Sequence, residues 1–344
     1  MKHLLNTLYV TTQGAYLSKD GETVLVRVEK ETKLRVPIHT LSGVVCFGQV
    51  SCSPPLMGFC AENNVGLSYL TEHGAFLARV QGPVNGNVLL RREQYRRADS
   101  PESSAALARA MVEAKLANCR TVLLRAVREY GDNPQITEAT GRLARNIQML
   151  ENSNGAAGSV DAVRGIEGDG ARNYFSVFDH LITAAKEHFF FRERSRRPPL
   201  DNVNALLSFL YTLLVHDIVG ALEAVGLDPA VGFLHRDRPG RPGLALDLME
   251  ELRPVLADRL ALSLINRRQI HEDGFEKAEA GGVVMDAPTR KDVLLAWQKR
   301  KQEEIQHPFI GERVPFGLVP HCQALLLARH LRGDLDAYPA FFWR

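Results

Sequence analysis

Three stretches of the chain set acidic, imidazole and guanidinium groups in patterns that could act on a phosphate ester. The first is Gly165-Ile166-Glu167-Gly168-Asp169-Gly170-Ala171-Arg172. Its surroundings read as helical, and a glycine in a helix costs about 1 kcal/mol relative to alanine. Close approach by a partner helix, another backbone or a ligand would offset that cost. A tight helix crossing beside a solvated Glu167 accounts for the same residues without chemistry. No strand precedes the stretch, so it is not a dinucleotide-binding fingerprint. The second stretch holds His235, in Gly232-Phe233-Leu234-His235-Arg236-Asp237-Arg238-Pro239-Gly240-Arg241-Pro242-Gly243. A histidine on such a polar loop more often faces water or caps a helix than binds a ligand. The third is Leu244-Ala245-Leu246-Asp247-Leu248-Met249-Glu250-Glu251-Leu252. Asp247 and Glu250 share one helix face, and so do Asp247 and Glu251. Acidic residues early in a helix are also favoured by the macrodipole alone.

Together these residues supply two or three carboxylates and one imidazole, with no cysteine. That donor set suits Mg²⁺ or Mn²⁺ better than structural zinc. Such an ion neutralises charge on a phosphoryl oxygen and activates an attacking hydroxyl. Arginines crowd the same stretches: Arg172 ends the first, and Arg236, Arg238 and Arg241 surround His235. Arg192, Arg194, Arg196 and Arg197 occupy one loop that ends in proline. Further groups are Arg91, Arg92, Arg96 and Arg97 around Tyr95, and Lys299-Arg300-Lys301. A lone charge run is usually a solvated face, but arginines beside carboxylates would hold an anionic backbone next to a metal.

The elements that must position these groups fall into two blocks. Short β-prone runs fill residues 1–85: Leu4 to Val10, Ala15 to Leu17, Thr23 to Val28, Lys33 to Pro37 and Gly43 to Phe47, then a hairpin of Val65 to Leu70 and Ala75 to Val80. A helix beginning at Ser53-Pro54-Pro55 interrupts them and ends near Asn63-Asn64. Gln81 to Gly86 reads as a linker. From 86 to 344 the period is helical: Val88 to Ala98, a long helix capped by Ser100, Pro134 to Leu150, a helix capped by Ser159 that carries Glu167, and an apolar helix from Asp201 to Gly226. Leu244 to Leu252 and Pro254 to Ile265 follow with a break between them, then a minor hairpin within Gln269 to Met285, and helices Thr289 to Ile305 and Pro320 to Leu331. The expected fold class is α+β, a small N-terminal β-sandwich-like domain followed by a larger all-α domain.

Composition narrows the compartment and the class. Of the 344 residues, 45% are hydrophobic and 24% charged, so disorder is not the default for any large part. The net charge of +2 neither marks nor excludes a nucleic-acid binder, because phosphate contacts need local clusters. The five cysteines form no CxxC pair, which argues against zinc knuckles and a disulfide framework and for reduced thiols in the cytoplasm. The N-terminus lacks the features of a signal peptide. The apolar stretch Val203 to Leu222 is interrupted by Asn204, Ser208, Thr212, His216 and Asp217, so a buried helix is expected and no membrane contact.

At this point the sequence resembles a known family, the DNA integrases of CRISPR adaptation, and most nearly those of subtype I-C. The resemblance covers essentially the whole chain. Its landmarks are Asn6-Thr7-Leu8-Tyr9-Val10-Thr11-Thr12, Gly165-Ile166-Glu167-Gly168, Gly226-Leu227-Asp228-Pro229, Gly232-Phe233-Leu234-His235 and the Leu244 to Glu251 helix. The resemblance implies that Glu167, His235 and Glu250 bind a catalytic Mg²⁺ or Mn²⁺, with Asp247 as an auxiliary acidic residue. It implies a homodimer built on the β domain, and two such dimers flanking a dimer of a small CRISPR adaptation protein in a heterohexamer. That assembly would carry double-stranded DNA fragments to CRISPR repeat DNA, with an accessory processing nuclease as a further partner. Gly170 and Gly243 stand where relatives often carry Ala and Ser, which is expected to loosen the local helix geometry. Ala230 stands where an aromatic residue is common. Two rival readings are a general metal-dependent DNA-repair nuclease and a non-catalytic DNA-binding scaffold.

Overall fold

The computed structural model describes residues 6–82, 88–152, 159–279 and 281–343. Its N-terminal part is a pair of four-stranded sheets. Strands β1 (Asn6–Val10), β2 (Tyr16–Asp20), β3 (Thr23–Val28), β4 (Glu31–Pro37), β5 (Leu41–Phe47), β6 (Ser51–Cys52), β7 (Gly66–Leu70) and β8 (Phe76–Val80) divide between them. One sheet runs β1-β5-β7-β8, with the first three strands parallel and β7 and β8 antiparallel. The other runs β4-β3-β2-β6. Helix α1 (Pro54–Glu62) joins β6 to β7, and the Ser53 hydroxyl accepts from the Leu56 amide at its start. The expected strands and helix of this region are present, and β6 is an additional short strand. Leu4 and Leu5 of the first expected strand lie outside the described residues, as do residues 83–87, which include the end of the linker and the boundary drawn at 85.

The uninterrupted apolar run of β5 follows from its place. Successive side chains of a strand point to opposite faces. Val44 and Cys46 pack into the core between the two sheets. Val45 and Phe47 pack into the core of the helices instead. A strand buried on both faces needs no polar alternation.

The helical part comprises α2 (Val88–Asp99), α3 (Pro101–Tyr130), α4 (Pro134–Glu151), α5 (Val160–Ser176), α6 (Asn202–Val225), α7 (Gly243–Arg253), α8 (Arg259–Asn266), α9 (Ala287–Gln302) and α10 (Val319–Leu331). The expected caps are in place: Ser100, Ser159 and Asp201 each accept from an amide of the first turn, and Gly226 ends α6 in the left-handed conformation at φ 86°. Asn133 caps α4 in the same way. Helix α3 is the axis of the body, packing against α2, α4, α5 and α7. By length and composition α6 could cross a membrane, but 61% of its most apolar window is buried inside the protein. The break expected before Pro254 is a π-helical stretch, Pro254–Asp258, which carries α7 into α8 without a cap. Proline has no amide hydrogen to donate and its ring crowds the carbonyl four residues earlier, so the ordinary ladder is interrupted there. The minor hairpin is β9 (Phe275–Lys277) with β10 (Val283–Met285). The helix expected to reach Ile305 stops at Gln302, because Glu304–Gln306 (β11) pairs with Arg313–Pro315 (β12).

The sheet β1-β5-β7-β8 is clamped onto the helices. Phe47 packs on Phe209 of α6 at 6.0 Å between ring centroids. Gln298 of α9 donates to the Thr7 carbonyl at 2.7 Å, and Arg290 pairs with Glu72 at 3.0 Å.

Candidate active site

Three helices meet at one buried ammonium group. Lys115 lies on the inner face of α3, in line with Met111, Cys119 and Val122. Its side chain is 1% exposed, and its Nζ pairs with Glu167 of α5 and, at 2.7 Å, with Glu250 Oε2 of α7. Arg253, one turn further along α7, donates to the same Glu250 oxygen at 2.8 Å. Burial by itself would raise the pKa of Glu250, but Arg253, Lys115 and His235 together pull it down to about 2. Glu250 is therefore an anion at any physiological pH. Glu167 differs in being partly open to solvent, with 25% of its side chain exposed.

His235 is positioned by Asp247. The Asp247 carboxylate, wholly buried on α7, accepts from the amides of Phe233, Leu234 and His235 at 2.6, 2.9 and 2.9 Å. Its Oδ1 also lies 2.6 Å from His235 Nδ1. With the proton on Nδ1, that contact fixes the ring and leaves Nε2 as a lone-pair donor, the arrangement common to metal-binding histidines. Asp247 itself has its oxygens occupied, which suits an orienting role. Arg164 of α5 ties the same loop down by donating to the Leu234 carbonyl at 2.6 Å.

The glycines explain how loop and helix come so close. A Cβ at Gly232 would stand 2.7 Å from Asp247 Oδ2, and one at Gly243 would stand 2.6 Å from the Ala230 carbonyl oxygen. At Gly170 it would strike Leu116 of α3 at 2.2 Å. Glycine at 170 and 243 thus permits tighter packing, contrary to the expected loosening. Gly165 and Gly168 face open space, so no neighbouring helix requires them. Ala230 is exposed, and its small side chain leaves no gap in the core.

The structure therefore brings Glu167 and Glu250 together around Lys115 and places His235 near enough to influence Glu250. Among the described residues, no three His, Cys, Asp or Glu side chains stand ready-made as a cation site. The donor set nevertheless fits a hard divalent ion: two carboxylates, one of them held ionised, and an imidazole with a free nitrogen. Sequence reasoning missed Lys115 and Arg253. The signal for Lys115 was a lysine on the apolar stripe Met111, Lys115, Cys119, where an unpaired cation would not be buried.

The arginines divide. Arg172, Arg192, Arg196, Arg197, Arg236 and Arg238 are exposed, and Arg241 is half-buried. Arg236 shares Asp161 with Arg164 at 2.9 Å. Arg194 turns inward, contrary to its expected role at the surface. It donates to Asn204 Oδ1 at 2.6 Å and Ser208 Oγ at 3.0 Å, and its guanidinium lies 5.2 Å from the Tyr211 ring centroid. Arg253 lies at the same distance from that ring, and the Tyr211 hydroxyl donates to buried Asp258 at 2.6 Å. Lys301 leaves the basic group near residue 300, being buried against Asp217 at 2.9 Å.

A two-sheet sandwich set on a helical body is the architecture of Cas1-type structures. A CAS1 protein from Thermotoga maritima superposes with a TM-score of 0.81 at 22% identity, over 98% of this chain and 100% of that one. A casposase bound to its integration product superposes at 0.83 and 21% identity, over 99% and 95%. A chain of a Cas6-RT-Cas1–Cas2 complex does so at 0.82 and 22% identity, over 98% of this chain and 36% of that one. The chain belongs to the family described as CRISPR associated protein Cas1, whose model matches residues 8–299. It is 56% identical to a CRISPR-associated endonuclease Cas1 of Chlorobaculum tepidum and 54% identical to one of Rhodospirillum rubrum, across the full length of each. It is also 36% identical to a Cas4 exonuclease/Cas1 endonuclease fusion of Geobacter sulfurreducens, over 98% of this chain and 60% of the fusion.

Proposed function

We propose that this chain inserts short double-stranded DNA fragments into a CRISPR array, using a divalent-metal centre held by Glu167, His235 and Glu250. The observation that carries the reading is the meeting of two glutamates from different helices beside a histidine oriented by Asp247. A bound Mg²⁺ or Mn²⁺ would lower the pKa of an attacking hydroxyl and neutralise charge developing on the phosphoryl oxygens. In this reading Glu250 enters the reaction already ionised, Asp247 fixes the imidazole, and Glu167 faces the side from which DNA arrives. The fragment's 3′-hydroxyl attacks a phosphodiester at the repeat boundary. One phosphorus–oxygen bond forms as another breaks, so no nucleotide triphosphate is consumed. With water as the nucleophile, the same groups would cleave DNA.

The exposed arginines 172, 192, 196, 197, 236 and 238, with half-buried Arg241, are assigned to the DNA backbone, whose contacts position the duplex without reading sequence. The β domain, residues 1–85, is assigned to a homodimer. Two dimers would flank a dimer of the small adaptation protein in a heterohexamer, and the fold shared with the Cas1–Cas2 complex supports such a partner. The Cas4 fusion of the Geobacter relative supports an accessory processing nuclease. Subtype I-C and a cytoplasmic setting complete the reading.

The test is joining of a labelled short duplex to a plasmid bearing a CRISPR array, with the small partner present, in Mn²⁺ or EDTA. Metal-dependent joining at the repeat is the expected result. Cleavage without joining would favour the repair nuclease. DNA binding with neither joining nor cleavage would favour the scaffold.

A further inference from the structure

We infer that Lys115 is the resident counter-cation of the Glu167–Glu250 pair, and that a divalent ion binds by taking its place. The inference rests on the metal-centre reading above. Two carboxylates from separate helices repel one another when both are ionised, and they stay converged only around positive charge. A single Nζ pairs with both of them, so the ammonium stands between the two carboxylates that would hold the ion. This lysine is buried along its whole length, and its bonds to these two glutamates are its only ion pairs among the described residues.

Charge counting gives the direction. Glu167 and Glu250 carry two negative charges, and Lys115 and Arg253 supply two positive ones against them. Those four groups balance, and buried Asp247 beside a neutral His235 adds one negative charge. Adding a divalent ion would turn that balance to a net positive charge among buried groups, which favours withdrawal of one of the resident cations. Arg253 is held elsewhere by the Tyr211 ring and is nearly as buried. Lys115 has a flexible four-carbon stem and a compact head, and it is the group touching both ligands. Lys115 thus acts as a positioning residue. It keeps the two carboxylates converged and sets a threshold concentration for the metal, with Glu167 as the solvent-facing gate through which exchange occurs.

The experiment measures Mn²⁺ affinity from the loss of the free-ion paramagnetic resonance signal, on the full-length protein, for wild type, Lys115→Met, Lys115→Gln and Glu250→Gln. Melting temperatures are read beside it in EDTA and in saturating Mn²⁺. The neutral variants are expected to bind Mn²⁺ roughly tenfold tighter or more, since a competing positive charge is gone. They should melt roughly 5 °C lower than wild type in EDTA, with Mn²⁺ restoring most of the difference. Lys115→Gln keeps a polar head and serves where Lys115→Met does not fold. Unchanged or weaker Mn²⁺ affinity in the neutral variants, with wild type binding and Glu250→Gln not, would overturn the role of Lys115 alone. Equal binding by wild type and Glu250→Gln would overturn the metal centre, and Lys115's role with it.

Discussion

Glu250 and Glu251 are consecutive, both buried, both on α7, and they live in opposite electrostatic worlds. Glu250 faces Lys115, Arg253 and His235, and is pulled down to about 2 against its burial. Glu251 points the other way, into neutral donors. It accepts from the Phe341 amide at 2.7 Å, the Tyr338 hydroxyl at 2.7 Å and Gln323 at 3.0 Å. No cation pairs with it among the described residues, and burial pushes it up to about 7 in spite of those bonds. Asn118, one turn beyond Lys115 on α3, also holds the C-terminal segment, donating to the Glu251 and Phe341 carbonyls and accepting from the Trp343 amide. One helix therefore presents an anion to the proposed metal on one side and, on the other, a carboxyl raised to about 7 that anchors the C-terminal segment. What separates them is which neighbours carry charge, since burial is common to both.

The sharpest way to break this comparison is to neutralise each member in turn and titrate Mn²⁺. Glu250→Gln is expected to weaken binding by more than the roughly 100-fold that loss of an outer-shell partner costs. Glu251→Gln is expected to leave it within a few-fold.

Stability against pH sharpens the contrast. The folded pKa of Glu251 lies above its ordinary value of 4.5, so its contribution is fully present below about 4.5 and is lost as pH rises through about 7. The decline is roughly 3 kcal/mol. Glu250 has the opposite sign, its contribution being present above 4.5 and lost as pH falls through about 2. Denaturant melts from pH 5 to pH 8 should show wild type losing stability, and Glu251→Gln nearly flat. An equal slope in the two would place the titration elsewhere.

Asp247→Asn tests the histidine's support, with an expected loss of about 10- to 100-fold in Mn²⁺ affinity. Retained affinity would mean that His235 is oriented without Asp247.

The smallest effects concern the arginines. Removing Arg192, Arg196 or Arg197 should weaken DNA binding for all sequences and reduce the salt slope by about 1 each. Arg194→Met should act on stability instead, because its bonds are internal. A salt-slope change of about 1 for Arg194→Met as well would restore it to the DNA surface.

Much of this was legible from local pattern. The strands and hairpins of the first 80 residues, the caps at Ser53, Ser100, Ser159 and Asp201, and the helix stop at Gly226 are all short-range signals. Glu167, His235, Asp247 and Glu250 stand out by residue type and by family likeness, and the fold brings α5, α7 and the His235 loop together. Lys115 was not legible, because a lysine on an apolar stripe gains meaning only from carboxylates 52 residues and more away. Arg194 read as surface charge for the converse reason: its partners Asn204 and Ser208 belong to the next helix, and composition cannot report which way a loop side chain turns. Hairpin β11–β12 escaped because three-residue strands carry too little periodicity to outweigh the helical run before them.

The central claim is that the charged side of α7 does the chemistry and the neutral side holds the fold. The direct measurement is strand transfer of a labelled duplex into a CRISPR-array plasmid by wild type, Glu250→Gln and Glu251→Gln at pH 7, with DNA binding measured in parallel. The account predicts that Glu250→Gln binds DNA but fails to join it, whereas Glu251→Gln joins at close to the wild-type rate. Joining that survives Glu250→Gln, or that is lost equally in both, would contradict it.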